Sequence, residues 1–246
     1  MEAQKRNSGN IFEVDEVDQY RTVDELLEQS RANSIYYTLL ILSTLIVTAG
    51  LLLNNSPIVI GGMLVTPVLT PLLVIALGLS VGEMKPIKRE AVLIVKSFAF
   101  IVFFSLLMGF ALGSSEAPLI FENSIRTAIL YFITAVASGA AATFAWARKE
   151  MAVTLPGVAI AVSLVPPLSL IGIGLSIFSL AVVRFYFFIL IFNLFGILAG
   201  SLTVFSLLKF YRAGAEVKEK TAEIEIREEQ DKKANHEEVD TSRGGN

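Results

Sequence analysis

The chain has 246 residues, 54% of them hydrophobic and only 17% charged, with no cysteine, one histidine and a formal net charge of −3. Soluble domains carry about a quarter charged residues; here the charges crowd into the ends and short connections, leaving apolar runs near the ~20 residues that cross a bilayer. This is the composition of an integral membrane protein; it excludes disulfides, thiolate metal sites and cysteine nucleophiles, and the acidic balance gives no reason to expect nucleic acid as a partner.

Residues 1–33 read as a cytoplasmic N-terminal segment. Residues 1–21, with Glu13, Asp15, Glu16 and Asp18, show no apolar period and are expected to be disordered. Thr22 to Arg31 is predicted to be a short amphipathic helix, since Thr22 and Glu25 have capping-box spacing and Val23, Leu26 and Leu27 make one face. So acidic a start, well ahead of the first apolar run, is unlike a cleaved signal peptide. The first span is expected to serve as its own insertion signal.

The membrane domain is predicted over 34–209 as six helical spans. The first runs from Ser34 to Leu53 and ends at Asn54-Asn55-Ser56-Pro57, where Ser56 is placed to cap the next helix and Pro57 to open it. The second, to Val81, contains Gly61, Gly62, Pro67, Pro71 and Gly78, and its prolines should break it. A charged loop, Glu83 to Glu90, leads to the third span, Ala91 to Gly113; the fourth covers Ile125 to Ala147, with Trp146 as an interfacial anchor. The fifth, Ala152 to Phe178, is broken by Pro156, Gly157, Pro166 and Pro167, and the sixth covers Val182 to Leu208. Residues 210–246 form a charged cytoplasmic tail, helical at most to Lys233 and disordered from Asn235.

An even number of crossings puts both termini on one side of the cell membrane. Lysine and arginine gather there (Arg31, Lys85, Lys88, Arg89, Arg148, Lys149, Lys209, Arg212), against Arg126 and Arg184 opposite, so that side is cytoplasmic. Two three-span repeats, about 34–113 and 124–209, are indicated by the equal separation of Pro57 from Pro67 and Pro156 from Pro166. Gly109 and Gly113 are echoed by Gly196 and Gly200, and Lys96 by Arg184. Units with an odd number of crossings must sit in opposite orientations, an arrangement that recurs in secondary transporters.

The stretches Gly50 to Glu83, GLLLNNSPIVIGGMLVTPVLTPLLVIALGLSVGE, and Leu155 to Ser176, LPGVAIAVSLVPPLSLIGIGLS, resemble a family of prokaryotic multi-pass membrane proteins known as domain of unknown function 389, or the uncharacterised hydrophobic domain family. The likeness covers about Arg31 to Leu208. It implies a multi-pass membrane fold and assigns no activity; members with an additional soluble domain are known, and the N-terminal segment here is too short for one.

Candidate site residues follow from the breaks. Asn54, Asn55 and Ser56 start a helix, where free N–H groups suit an anion. Gly61, Gly62, Thr66, Pro67, Thr70 and Pro71 leave carbonyls near Met63 and Pro67 without their usual donors, suited to a cation or a solute hydroxyl. Pro156, Gly157, Ser163, Pro166, Pro167 and Ser169 are the counterparts. Asn193, in the sixth span, is an amide that must find a partner in lipid. The glycine faces of Gly109, Gly113, Gly196 and Gly200 suit close helix contact, within the chain or in a homo-oligomer. No span has a central carboxylate or histidine, and HExxH and GxSxG are absent, so neither proton coupling nor an enzyme is expected, and no cofactor or metal. Two readings remain: a secondary transporter or channel-like permease for a small solute or ion between two broken helices, or a non-transporting oligomeric scaffold or sensor acting through its cytoplasmic ends.

Overall fold

The computed structural model describes residues 14–113, 125–148 and 164–243, with backbone alone at 125–128, 232–233 and 235–243. The chain enters through α1, Glu16–Gln29, which starts six residues (22 − 16) ahead of the predicted start at Thr22. Its acidic residues do not keep it disordered. Glu16 and Asp18 lie in the first turn, where negative charge meets the helix dipole favourably, and Arg21 pairs with Asp18 and Glu25 along the surface. Thr22 is therefore inside the helix, donating its hydroxyl to Asp18 O at 2.7 Å and facing Trp146 O at 3.3 Å.

Helix α2, Ser34–Leu52, is opened by Asn33, whose side chain accepts from Tyr36 N. It turns at Asn54, which adopts φ 51°, into α3, Ser56–Val65. After a break at Thr66–Pro67–Val68 the chain resumes as α4, Leu69–Val81, bent 55° from α3. Gly82, at φ 77°, ends α4 in the left-handed conformation that glycine takes without strain. Helix α5, Met84–Leu112, begins at once, so the predicted Glu83–Glu90 loop is in fact the first two turns of a helix. Pro86 is tolerated there because first-turn N–H groups lack helical acceptors anyway. The remaining elements are α6 (Ile125–Ala147), α7 (Val165–Ser176), α8 (Leu180–Leu207), a 3₁₀ turn (Phe210–Ala213) and α9 (Gly214–Arg243), which continues as helix past Asn235, where disorder was expected.

Helices α2, α5, α6 and α8 are long and apolar enough to cross a bilayer, and the bent α3–α4 pair makes a fifth candidate. Of the predicted fifth span, residues 152–163 lie outside the described residues; α7 alone, at 12 residues, rises about 18 Å and is too short to cross.

The helix ends sort into two groups. Gln19 of α1 donates to Leu208 O beyond the end of α8, Thr22 meets Trp146 O at the end of α6, and Ser30 donates to Glu90 near the start of α5. The start of α2 and the end of α4 lie at this same end, with Leu73, Val74 and Leu77 buried against α1. Trp146 is thus covered by α1, 9% exposed, rather than anchored at a lipid interface. At the other end, the last turn of α5 meets the last turn of α7, where Gly109 sits on Ser176.

A clasp closes the first end. Val217, Thr221 and Ile224 of α9 are buried in the cluster formed by Val23, Leu26 and Leu27 of α1. Around that apolar strip Lys220 meets Asp24 at 2.7 Å and Glu28 at 3.4 Å, Arg227 meets Glu28, and Arg31 meets Asp231 at 3.3 Å. The hydrogen bond to Asp24 holds the Lys220 ammonium above its ordinary pKa.

Of the glycines expected to make close helix contact, Gly109, Gly196 and Gly200 do so within the chain. A Cβ on Gly196 would come 2.6 Å from Ala135 Cβ, and one on Gly200 would run into Val136 O, both on α6. Gly139 of α6 presses on Ile197 of α8 in return, and Gly109 packs on α7. Gly109 and Gly196 thus have different neighbours and are not equivalent positions. Nor are Lys96 and Arg184: with α5 starting at Met84, Lys96 stands three turns into its helix and Arg184 one turn into α8.

Candidate functional site

The α3–α4 interruption is built by Pro67 and Pro71. Pro67 cannot donate to Met63 O, so that carbonyl takes the Thr66 N–H instead, at 3.4 Å, and Thr66 leaves the helix with ψ 133°. Pro71 falls in the first turn of α4, where a missing donor is harmless, so of the two it is Pro67 that sits at the break. Pro71 is buried, and Pro67 and Thr70 are half-buried. Thr66 Oγ1 is buried without a hydrogen-bond partner among the described residues.

The second proline pair behaves differently from expectation. Pro166 and Pro167 occupy the first turn of α7 and start a helix rather than kink one. Both are buried, as is Ser169, whose Oγ also lacks a partner among the described residues. Pro156, Gly157 and Ser163 lie outside the described residues. Leu164, Val165 and Leu168 share one apolar cluster with Val68 and Leu72, which brings the α3–α4 break and the start of α7 into the same core. Their main packing is nonetheless elsewhere: α7 lies on α5, α8 and α2, whereas α3 lies on α2 and α4 on α5 and α8.

The turn before α3 puts its polar residues to structural use. Asn54 takes the left-handed conformation, which asparagine tolerates, and Asn55, not Ser56, is the cap: its Oδ1 accepts from Ile58 N at 3.3 Å. Ser56 and Pro57 are the first and second helical residues, and all four are exposed. Gly62 lets α3 approach α2, since a Cβ there would meet Val47 Cγ2 at 2.6 Å; Gly50 of α2 faces Val59 in the same way. Gly61 faces open space.

Sequence reasoning missed a set of buried polar contacts between helices. Tyr36 Oη lies 2.9 Å from Ser97 Oγ, and because Ser97 donates to Leu93 O, Tyr36 is the donor of that contact. Thr48 Oγ1 lies 2.9 Å from Ser105 Oγ, again joining α2 to α5. Ser201 of α8 donates to Gly139 O of α6 at 3.1 Å. Asn193, 6% exposed, is likewise buried in α8 and is not without an interaction partner. Near the clasp, the fully buried Glu90 accepts from Ser30 Oγ at 3.0 Å and from Arg89 Nε at 2.8 Å. The signal that was available is spacing: Ser97, Ile101 and Ser105 recur every four residues on one face of α5. Among the described residues no group of histidine, cysteine or acidic side chains could hold a metal ion.

Long apolar helices packed through small residues and hydroxyl pairs, around an interrupted helix, define a multi-helix membrane protein. The chain belongs to the family described as domain of unknown function (DUF389), which matches residues 63–199. It is 24% identical over 154 residues to the uncharacterized protein MJ0678 of Methanocaldococcus jannaschii, a match covering 63% of this chain and 47% of that protein. The chain thus spans about half the length of the curated relative it matches. No solved structure matches.

Proposed function

We propose that the protein is a permease whose two halves are inserted in opposite senses, with a solute path beside the α3–α4 interruption and the start of α7. The observation that carries this reading is a constant displacement of 96 residues between the halves: Leu69 and Val165 open α4 and α7 (165 − 69), and Met84 and Leu180 open α5 and α8 (180 − 84). The sequences Pro71 to Ser80, PLLVIALGLS, and Pro167 to Ser176, PLSLIGIGLS, obey it. So do the left-handed corner residues Gly82 and Phe178, each followed by an N–H that bonds back to a glycine carbonyl: Glu83 N to Gly78 O, and Ser179 N to Gly174 O.

Beyond the corner the match extends to burial. Leu93, Ile94, Ser97, Ile101 and Ser105 are the buried positions of α5, and Ile189, Leu190, Asn193, Ile197 and Ser201 are buried on α8. The equal proline separations had aligned the halves three residues out of this register. The halves also run oppositely: α4 ends and α5 starts at the clasp, whereas α8 ends there and α7 meets the last turn of α5 at the far end. Such a pair of halves with an interrupted helix at their shared core is the arrangement that binds solutes in secondary transporters.

Thr66, at the α3–α4 break, and Ser169, in the second turn of α7, both without a hydrogen-bond partner among the described residues, are the hydroxyls we assign to the path. An unsatisfied hydroxyl in an apolar core costs roughly 1–3 kcal/mol, which water or a solute at the site would offset. The long apolar helices carry no central carboxylate or histidine among the described residues, which favours a neutral solute or a cation held by carbonyls over proton transfer. The cytoplasmic side is assigned to the clasp end by its lysines and arginines.

Because the chain has no cysteine, Thr66→Cys and Ser169→Cys give clean probes. In vesicles a small water-soluble maleimide should label both, as it labels the exposed controls Asn54→Cys and Lys218→Cys from opposite sides, and proteoliposomes should pass at least one member of a small-solute panel. Silent cysteines at both positions together with impermeable proteoliposomes would discard the permease reading and leave a non-transporting scaffold acting through its α1–α9 clasp.

A further inference from the structure

At the clasp end the first turns of α2, the side of α5 and the tail helix α9 enclose an open cleft of about 720 Å³, lined by Arg31, Tyr37, Arg89, Lys96, Glu228 and Asp231. Three cations meet there, and two are engaged within the protein. Arg89 pairs with Glu90 at 2.6 Å and donates to Ser30, and Arg31 pairs with Glu28 and Asp231. Lys96 forms no ion pair among the described residues although it is exposed in the cleft.

The depth of Lys96 fixes what surrounds it. It lies 16 residues (112 − 96) before Leu112 at the far end of α5, about 24 Å of helical rise. Set against about 30 Å of hydrocarbon, its ammonium stands just inside the near boundary, within snorkelling reach of the headgroups. Below it on the same face of α5, the aromatic residues Phe100 and Phe103, 40% and 53% exposed, face outward. Tyr37 leans on Phe100, with ring centroids 5.5 Å apart, and Phe104 stacks beneath. The cleft therefore has a cationic upper part continuous with an apolar, aromatic stripe along the lipid-facing surface.

We infer that this cleft binds an anionic phospholipid, its phosphate on Lys96 and Arg31 and an acyl chain along Phe100 and Phe103. Only an amphiphile satisfies both parts. A soluble anion would leave the aromatic stripe uncovered, and a zwitterionic lipid carries no net charge to answer the excess of Arg31, Arg89 and Lys96 over Glu228 and Asp231. The tail helix competes for the same position. The carboxylate of Asp231 occupies Arg31 at 3.3 Å, and because Asp231 is itself 70% exposed, a phosphate can displace it from the arginine. Lipid binding and docking of the outer half of α9 are thus alternatives at one site. The inference depends on the membrane reading but not on solute transport.

The test uses the full chain in neutral detergent, titrated with dioleoyl-phosphatidylglycerol or dioleoyl-phosphatidylcholine and read by native mass spectrometry and by thermal unfolding. Phosphatidylglycerol should bind in preference and raise the melting temperature. Lys96→Ala should weaken it about fivefold, and Asp231→Asn should strengthen it. Lys96 and Asp231 are both exposed, so neither change should disturb folding; Lys96→Arg should restore binding. Equal binding of the two lipids, or no effect of Lys96→Ala, overturns the inference. Glycerol phosphate protecting as well as the lipid overturns it too, because the occupant would then be a soluble anion. Both readouts are independent of flux, so a null transport result and a null lipid result are separable.

Discussion

Two of the helix pairs are held together by different means. Between α2 and α5 the contact is made by hydroxyls, Tyr36 with Ser97 and Thr48 with Ser105, and aromatic rings fill the flank. Between α6 and α8 the contact is backbone against backbone through Gly139, Gly196 and Gly200. At the proposed displacement of 96 residues, Phe100 and Phe104 of α5 correspond to Gly196 and Gly200 of α8. Side chains keep α2 and α5 apart and bonded, and their absence lets α6 and α8 touch. In lipid, where apolar attraction between helices is weak, both are recognised ways of holding helices together, by hydrogen bond or by close van der Waals contact.

The comparison breaks most sharply if the residues are exchanged. Gly200→Phe imports the first-half residue into a place where even a Cβ meets Val136 O. Helix α8 would have to leave α6, and the loss should exceed the 1–3 kcal/mol usual for overpacking; the expected result is little or no folded protein on size-exclusion chromatography. The reverse exchange should be mild. Phe104→Ala removes a half-buried ring that stacks on Phe100, and about 1 kcal/mol is expected, read as a modest fall in thermal midpoint. Equal costs for the two substitutions would mean that the halves pack alike and that the contrast is wrong.

How much of this was legible in the sequence depended on which residues served as markers. The apolar run from Ser34 and the stop at Asn54-Asn55 are local signals, and α2 fell within a residue of its predicted ends. The proline separations were weak markers for aligning the proposed halves, because a proline can stand in a break, as Pro67 does, or in a first helical turn, as Pro167 does, at no cost to either. Gly78 and Gly174, each four residues before a left-handed corner, were the sounder landmarks. Charge misled in two places. Acidic residues before Thr22 and basic ones before Ala91 suggested disorder and loop, yet both continue helices whose ends protrude beyond the apolar layer. The consequence was functional: with the start of α5 misplaced, the cleft beside Lys96 went unseen. The interhelical hydroxyl pairs were legible only as a shared face, from the spacing of Ser97, Ile101 and Ser105, because serine and threonine bond back to their own helix as readily as across.

The hydroxyl pair of the first half sharpens the comparison at a finer scale. Thr48 and Ser105 are both fully buried, and double-mutant cycles on such pairs in membrane proteins average about 0.6 kcal/mol. Thr48→Val, Ser105→Ala and the double variant should therefore show a coupling of that order in unfolding free energy. Ser201→Ala, at the equivalent place on α8, removes a single donor to Gly139 O. That carbonyl also accepts from Thr143 at 3.0 Å, so it remains satisfied and the cost should be smaller still.

The smallest effect is expected at Tyr36. Its hydroxyl donates to Ser97, but Ser97 keeps its own acceptor at Leu93 O when that donor goes, so Tyr36→Phe leaves no buried group newly unpaired. The ring stays in the core and keeps its edge contact with Tyr37, with centroids 5.5 Å apart. A loss near the lower end of the range for a net hydrogen bond, about 0.5 kcal/mol, is expected. Ser97→Ala should cost more than Tyr36→Phe, because it strands the buried phenol rather than removing it. Measured in the same unfolding assay, the opposite order would show that the phenol has another partner, and that α2 and α5 are joined by a longer chain of polar contacts than the two pairs described.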